Sequence, residues 1–295
     1  MSSNRHLLQL DSSASPRAPG RRDFLKVAAA AAALSVATRA VPSHAAETPA
    51  HPAAFVKIDT SQIKALTFDM QGSLLDFYST IVDEGAKFTQ ARGITADWTK
   101  ISDQWRSEYR KQLDQVIAGT ITWRSTDRIY RDSLDNLLAT YSWGDTLSAA
   151  DRDQISSLWS RLRAWDDTRP GLARMQKKFT LSTLSNGSMA SVVNIVKQDK
   201  LPFDCILTAE LVKSSKPDPK VYALAANSLS LQPHQIMMVA CHKYDLAAAK
   251  KFGFNVAFIP RPLEFGPGGK TDTAPEDYFD AMAPSLVDLA KVLGA

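Results

Sequence analysis

The sequence is poor in cysteine and, after its first segment, has no excess of either charge. Its 295 residues include only Cys205 and Cys241, which excludes a fold held together by a framework of disulfides. The formal net charge of +4 arises within residues 1–45, and the later basic and acidic residues are equal in number. This balance argues against a general affinity for nucleic acid or for membrane surfaces.

A long apolar run is missing as well. The most apolar stretch, Val27–Ala37, is shorter than the roughly 18 residues that span a bilayer. It follows the paired Arg21 and Arg22 and precedes Ser43–Ala45, a small-x-small cleavage site. The arginines resemble a twin-arginine export signal. We therefore predict that residues 1–45 are a signal peptide for the Tat translocase, that the protein is periplasmic, and that its thiols stay free.

Short apolar runs alternate with helical patterns after a polar, proline-containing linker at residues 46–60. The runs are rich in β-branched and aliphatic residues, and they comprise Ala65–Phe68, Phe179–Leu184, Cys205–Thr208, Ile236–Val239 and Val256–Ile259. Such alternation is typical of a parallel sheet with crossover helices. The sequence therefore predicts an α/β fold, with a Rossmann-like parallel sheet core formed by residues 61–77 and 168–295.

Over a hundred residues without a strand signal separate the first two runs. Four segments of this insertion have the apolar spacing of helices, namely Ile81–Arg92, Trp98–Ile117, Trp123–Tyr141 and Ala149–Ala164. A crossover of this length must be a domain of its own. We expect residues 78–167 to form an inserted helical cap, with most of the six tryptophans of the chain in its core.

A carboxylate follows the first apolar run directly. Asp69 comes after the buried Leu66–Phe68 and before a turn at Gly72. In open parallel sheets, ligands bind beyond the carboxyl ends of the strands. Asp69 is therefore a candidate nucleophile for covalent catalysis. The alternative is an aspartate that only caps the turn.

Four short motifs stand at strand ends or just beyond them. They are Asp69-Met-Gln-Gly-Ser73, Leu184-Ser-Asn-Gly-Ser188, Lys216-Pro-Asp-Pro219 and Cys241-His-Lys-Tyr-Asp245. In this order they resemble the haloacid dehalogenase superfamily over about residues 61–293, and within it the type II 2-haloacid dehalogenases, which have a helical cap. The resemblance implies an aspartyl-ester intermediate, no metal or other cofactor, and a possible homodimer.

The resemblance also assigns roles to single residues. Lys216 would supply a fixed positive charge that keeps Asp69 ionised. Ser185 and Asn186 would bind the substrate carboxylate, and Tyr222, which matches a family position beside the lysine, is grouped with the substrate-binding residues. The alternatives are a solvated lysine and a pair of plain turn formers.

The cap contributes a candidate site for the departing halide. Arg106 is similar to the halide-binding arginine that the family's cap supplies, and a guanidinium there would stabilise the developing negative charge. Arg110 is the competing choice one helical turn away. Tyr244 and Trp123 are weaker candidates for aromatic walls.

Two positions separate a dehalogenase from a phosphatase. Superfamily phosphatases have a second aspartate where Gln71 stands and a magnesium-binding aspartate where Cys241 stands. A halide leaves without a proton, so the lack of an acid at Gln71 prevents phosphate-ester hydrolysis but not the displacement of a halide. The thiol of Cys241 is a poor ligand for magnesium. Gln71 is instead grouped with the substrate-binding residues. This chain departs from the usual dehalogenase pattern at three places. Dehalogenases usually have Tyr or Phe at the position of Gln71, Thr at the position of Ser73, and two serines and an asparagine at the positions of Ala240-Cys-His242.

His242 and Asp245 are both candidates for the second half of the reaction. An imidazole near neutral pH could accept a proton from the water that hydrolyses the ester. His242 could equally only shape the pocket. Asp245 could orient the water, the histidine or Lys216, and the sequence leaves these choices open.

Together these features predict an exported, metal-independent hydrolase that converts short 2-haloalkanoic acids to 2-hydroxy acids. The catalytic residues would be Asp69, Lys216, His242 and Asp245. The expected partners are a small 2-haloacid and the Tat translocase, and no nucleic acid. The alternatives are another superfamily hydrolase, including a phosphatase-like one, and a non-catalytic periplasmic binding module.

Overall fold

The computed structural model describes residues 53–295. The strands are β1 (Phe55–Val56), β2 (Ala65–Phe68), β3 (Leu75–Asp76), β4 (Arg163–Ala164), β5 (Thr180–Thr183), β6 (Ile236–Ala240), β7 (Asn255–Phe258) and β8 (Ala281–Met282). The α-helices are α1 (Phe77–Gln90), α2 (Trp98–Ile117), α3 (Thr126–Leu138), α4 (Ala149–Ser156), α5 (Thr168–Met175), α6 (Met189–Gln198), α7 (Pro219–Leu229), α8 (Lys243–Phe252) and α9 (Leu286–Val292). Six strands form one sheet in the order β1, β8, β7, β6, β2, β5, which is parallel except at β1.

Strand β2 lies inside this sheet and sets the position of Asp69. It pairs in parallel with β5 on one side and with β6 on the other, and all four of its residues are buried. A parallel strand that is covered on both faces is apolar throughout, which explains the sequence of β2. The chain continues to β5 on one side of β2 and to β6 and β7 on the other. Asp69 therefore emerges at the switch point of the topology, where ligands bind in such sheets.

The α/β class with a largely parallel sheet and a helical cap is confirmed, but one predicted strand is wrong. Residues Cys205–Thr208 run beside β5 and form only isolated bridges. The Thr183 hydroxyl donates to the Leu207 carbonyl oxygen at 2.8 Å and accepts from its N–H at 2.9 Å. The Thr183 hydroxyl takes the hydrogen bonds that the backbone of a neighbouring strand would make with Leu207. Residues Cys205–Thr208 therefore do not form a regular strand.

The predicted linker at residues 46–60 also contributes to the sheet. Within it, β1 pairs with β8 in an antiparallel register. Residues 1–52, which include the predicted signal peptide, lie outside the described part of the chain. Across residues 53–295, no helix is both long and apolar enough to cross a membrane.

Helices α1 to α4 form the cap between β2 and β5, and α2 has the predicted bounds. The fourth predicted helix, Ala149–Ala164, is wrong beyond Ser156, where α4 ends. A 3-10 turn covers Ser157–Ser160, where serine hydroxyls donate to backbone carbonyls and compete with helical hydrogen bonds. Residues Arg163–Ala164 then form β4, which pairs with β3 at the base of the cap.

An aromatic stack fills the centre of the cap. Tyr130 lies between the rings of Tyr109 and Trp159, with centroid distances of 4.1 and 3.9 Å. Trp105 meets the stack edge-on, and its indole N–H donates to the Tyr130 carbonyl oxygen at 2.9 Å. These contacts hold α2 and α3 together, so that the residues of α2 which face the sheet have a fixed position.

Candidate active site

Asp69 is a buried carboxylate with three hydrogen-bond donors around it. Its Oδ1 accepts from Lys216 Nζ at 2.9 Å, and its Oδ2 accepts from Ser73 Oγ at 2.7 Å. His242 Nδ1 lies 3.0 Å from the same Oδ2. The backbone fixes its position, because its N–H donates to the Val239 carbonyl oxygen of β6. The side chain therefore has a defined orientation at the end of β2.

Lys216 links Asp69 to a second buried carboxylate. Its ammonium group, with a side chain only 1% exposed, donates to Asp245 Oδ2 at 2.5 Å as well as to Asp69. The other oxygen of Asp245 accepts from the Tyr222 hydroxyl at 2.8 Å. Asp245 is thus occupied at both oxygens and lies behind Lys216. The lysine backbone is fixed too, since its N–H donates to Asn186 Oδ1 at 2.8 Å.

His242 connects Asp69 to Glu264, a residue that follows β7. The His242 Nε2 atom lies 2.8 Å from Glu264 Oε1, on the opposite side of the ring from Asp69. Gly72 makes room for this carboxylate: with φ of +82°, it would place a Cβ 2.5 Å from Glu264 Oε1. A glycine at this turn is therefore required both by backbone conformation and by the approach of Glu264.

The charges around these residues fix their protonation. Burial disfavours the ionised form of Asp69, but Lys216 and the hydrogen bonds from His242 and Ser73 outweigh it and hold the pKa of Asp69 below its usual range. Burial also opposes the charge of Lys216, yet Asp245 and Asp69 raise the pKa of this lysine. The pKa of Asp245 is raised by burial, which makes it the weaker acid of the two carboxyls.

The surroundings of His242 favour the protonated form of its imidazole. Burial disfavours the charge, whereas Cys241 and the hydrogen bonds with Asp69 and Glu264 raise the pKa of His242 well above its usual value. Geometry gives the same answer. Both ring nitrogens face carboxylate oxygens, and a doubly protonated ring can donate a hydrogen bond to each of them.

A cavity of about 250 Å³ lies over Asp69, and residues of α2 line its other side. Core and cap both line it, through Asp69, Gln71, Arg106, Tyr109, Arg110, Leu113, Ser185, Asn186, His242, Tyr244 and Phe265. The guanidinium of Arg106 packs 4.0 Å from the ring centroid of Phe77 and, within residues 53–295, forms no ion pair. Arg110 is instead paired with Asp114 at 2.5 Å. Arg106 is therefore the better placed of the two to receive an anion.

Residues of metal-binding type also meet beside this cavity. One ligand atom from each of Cys241, His242 and Glu264 lies within 4.8 Å of the others. The imidazole and the carboxylate are hydrogen-bonded directly to each other, and the imidazole is also bonded to Asp69. We therefore interpret the group as a hydrogen-bond network attached to the nucleophile candidate. Burial raises the pKa of the Cys241 thiol.

Comparison with known proteins identifies this arrangement. A family model described as haloacid dehalogenase-like hydrolase matches residues 63–253, which include Asp69, Lys216 and Asp245. The chain belongs to the haloacid dehalogenase-like hydrolases. Among curated members is (S)-2-haloacid dehalogenase 4A of Burkholderia cepacia, which is 29% identical over 219 residues, or 70% of this chain and 88% of the relative.

Solved structures of family members superpose on the same region. A crystal structure of an L-2-haloacid dehalogenase has 36% identity and a TM-score of 0.73, covering 78% of this chain and 99% of the other. A defluorinating L-2-haloacid dehalogenase has 29% identity and a TM-score of 0.77, covering 81% of this chain and all of the other. The similarity to this family therefore extends over both the sheet core and the cap.

The structure brings most of the predicted site residues of this hydrolase to one place, with two corrections. Tyr222 is fully buried and contacts Asp245, so it supports that carboxylate and does not line the cavity. Trp123 precedes α3 and is not among the cavity-lining residues, whereas Tyr244 lines it. Gln71 lines the cavity, and its Oε1 accepts from the Tyr130 hydroxyl at 3.0 Å.

Sequence reasoning missed Glu264 and Phe265, which both lie in the site region. They follow β7 in the segment Arg261-Pro-Leu-Glu-Phe-Gly266. The signal was available, because this segment begins beyond the carboxyl end of a predicted strand, as the four recognised motifs do. Arg261 supports the same region, since its Nε donates to the Ser73 carbonyl oxygen at 2.8 Å and its guanidinium pairs with Asp167.

Proposed function

We propose that the chain hydrolyses short 2-haloalkanoic acids to 2-hydroxy acids through an ester of Asp69. The observation that carries this proposal is the ionised Asp69 carboxylate at the base of a small cavity, with cationic side chains around it. The names of the related (S)- and L-2-haloacid dehalogenases support the substrate class and its stereochemistry.

In the first half-reaction, an Asp69 oxygen attacks the carbon that bears the halogen. The carbon–oxygen bond forms as the carbon–halogen bond breaks, and the halide leaves as an anion. Ser185 and Asn186 line the cavity beside the nucleophile, where they can bind the substrate carboxylate. Arg106 would stabilise the charge that develops on the halogen.

The same geometry disfavours phosphate transfer. A phosphate ester needs a proton on its leaving oxygen, and the amide of Gln71 cannot supply one. The Gln71 side chain is also held in place, because its Oε1 accepts a hydrogen bond from the Tyr130 hydroxyl. Cys241, with its buried thiol, stands where a hard oxygen ligand for magnesium would be needed.

In the second half-reaction, water attacks the carboxyl carbon of the Asp69 ester. Both oxygens of Asp245 are engaged by Lys216 and Tyr222, and its side chain is 1% exposed. The His242 side chain is 20% exposed and directly contacts Asp69. We therefore assign activation of the water to His242 and the placement of Lys216 to Asp245.

A halide-release assay tests the proposal directly. Protein beginning at Ala46 should release chloride from chloroacetate and from (S)-2-chloropropionate in the presence of a strong chelator, and phosphate esters should be inert with or without magnesium. The D69N variant is the control for background hydrolysis. Magnesium-dependent phosphate release without halide release would make the chain a phosphatase-like hydrolase. Binding of a 2-haloacid without turnover would favour a binding module.

We also propose that the hydrolase is exported by the twin-arginine route. The paired Arg21 and Arg22 and the cleavage site at Ser43–Ala45 support this. Changing both arginines to lysine should retain the precursor in the cytoplasm, as measured by fractionation and by the mass of the chain. Unchanged processing in that variant would contradict the proposal.

A further inference from the structure

We propose that Glu264 positions His242 and holds its Nε2 proton, so that Nδ1, the nitrogen facing Asp69, becomes the base that hydrolyses the ester. This inference rests on the proposed function and adds a residue to it. Glu264 contacts neither the nucleophile nor the cavity over it, and it acts through His242.

In the resting state, His242 cannot act as a base. Its two nitrogens face the carboxylates of Asp69 and Glu264, at 3.0 and 2.8 Å, and the imidazolium, which the raised pKa of His242 favours, donates to both. An imidazolium has no lone pair with which to accept a proton from water. The histidine must therefore lose a proton before the second half-reaction can begin.

Esterification supplies the reason for that loss. When Asp69 forms its ester, the negative charge 3.0 Å from Nδ1 disappears, and an ester oxygen is a much weaker acceptor. The charge of Glu264 on Nε2 remains. The proton that leaves to solvent is consequently the one on Nδ1. The resulting neutral imidazole keeps Nε2–H bonded to Glu264 and points a lone pair towards the ester.

The atoms balance over the cycle. In the first step the substrate becomes the ester, halide departs, and one proton goes from Nδ1 to solvent. In the second step Nδ1 takes a proton from water while the oxygen of that water bonds to the Asp69 carboxyl carbon. Collapse of the intermediate breaks the bond between this carbon and the substrate oxygen. The hydroxy acid leaves with one proton, and Asp69 and the imidazolium are restored.

The immediate surroundings of Glu264 fit a fixed orientation for this carboxylate. It is only 4% exposed, and its second oxygen lies 3.7 Å from the Cys241 sulfur. Gly72 leaves the space that Oε1 occupies. A carboxylate that is hydrogen-bonded to an imidazole orients the ring and increases its basicity, as in other carboxylate–histidine pairs.

Other titratable groups also face His242 and must be included in its pH dependence. Asp69, Cys241, Glu264 and the Tyr244 ring, 5.7 Å away, contact or adjoin the imidazole directly. The two cavities that His242 lines contribute Arg106 and Arg110 from α2, Lys243 from α8, and Arg261, Lys270 and Asp272 from the segment after β7. Among these, Glu264 alone accepts a hydrogen bond from Nε2.

The test separates the two half-reactions in rapid-mixing experiments with (S)-2-chloropropionate. E264Q keeps the size of the side chain and removes its charge. We expect chloride release in the first turnover to stay within about threefold of the original rate, and ester hydrolysis to slow by about tenfold to a hundredfold. The ester should accumulate on Asp69 and be visible by mass spectrometry. E264D should restore part of the hydrolysis rate.

The pH profile supplies a readout that a merely structural role would not change. Hydrolysis of the ester should rise with pH as His242 loses its proton. In E264Q this rise should shift to lower pH, because the imidazolium loses a stabilising charge. E276Q, which removes a carboxylate paired with Lys243 in the same segment, is the matched control and should leave both steps unchanged.

Two results would overturn the inference while leaving the proposed function intact. One is that E264Q slows chloride release and ester hydrolysis equally. The other is that it leaves the pH profile of hydrolysis where it was. If the unaltered protein releases no chloride at all, the proposed function itself has failed.

Discussion

Replacing Lys216 by methionine removes the cation that contacts both Asp69 and Asp245. The ammonium lies 2.9 Å from one carboxylate and 2.5 Å from the other, and all three side chains are almost fully buried. Methionine has a similar length and no charge. The variant therefore leaves two buried carboxylates without their shared partner.

The expected cost follows from these distances. With an effective dielectric constant of about 20, each contact is worth roughly 6 kcal/mol of attraction, most of which offsets the cost of burying the charges. Breaking such a buried pair lowers the free energy of unfolding by about 3–5 kcal/mol. We expect K216M to show a loss of this size near neutral pH, and to have no detectable chloride release.

The loss should depend on pH with a definite sign. Without Lys216, burial raises the pKa of Asp245 further above its unfolded value, so the folded variant keeps a proton that the unfolded chain releases. Its stability then falls as pH rises above about 4, by about 1.4 kcal/mol per pH unit for each retained proton, until the folded pKa is reached. The unaltered protein, in which Lys216 keeps Asp69 ionised, should show a smaller decline over the same range.

Urea unfolding at several pH values between 5 and 8 measures both effects. K220M, which removes an exposed lysine four residues away, is the control and should cost less than about 0.5 kcal/mol. The double variant K216M/D245N should recover part of the stability of K216M without recovering activity. A loss below about 1 kcal/mol, or one that is the same at pH 5 and pH 8, would refute the reasoning about the buried charges.

Three further predictions concern other residues of the site. R106K should reduce chloride release by at least tenfold, whereas R110K, at the arginine already paired with Asp114, should change it by less than threefold; equal effects in initial-rate assays would contradict this. G72A should destabilise the fold by more than about 1 kcal/mol and slow ester hydrolysis, because its Cβ displaces Glu264; unfolding and single-turnover data together check it. H242Q should lose stability mainly below pH 6.5, where the raised pKa of the histidine contributes fully, and the deficit should shrink as pH rises further; a constant deficit would show that His242 is not charged.

The sequence predicted the parts of the fold whose signals are local. Ala65–Phe68 is apolar and continuous because β2 is covered on both faces, and α2 has the predicted bounds because its apolar spacing persists throughout. Cys205–Thr208 has equally strong strand character. The hydroxyl of Thr183 interrupts its ladder, and this contact depends on a residue more than twenty positions away.

In the candidate site, too, the residues with a local sequence signal were predicted and those that depend on distant contacts were not. Strand-end motifs identified Asp69, Lys216, Asn186 and His242 as neighbours, since parallel strands end at one edge of a sheet. The packing of Tyr222 behind Asp245 was not predictable, because it depends on how α7 meets α8. Glu264 lies beyond the carboxyl end of a predicted strand, which marks its segment as a candidate, but its pairing with His242, 22 residues earlier, follows no spacing rule.

The central claim is that Asp69 becomes covalently bound to the substrate carbon during turnover. The most direct test is a single turnover of (S)-2-chloropropionate by excess protein in water enriched in oxygen-18, followed by mass spectrometry of the lactate and of the peptide that contains Asp69. We expect the first lactate formed to be unlabelled, because its hydroxyl oxygen comes from the Asp69 carboxylate, and the label to appear in Asp69. Labelled lactate with an unlabelled Asp69 would mean that water attacks the substrate directly, and would contradict the claim.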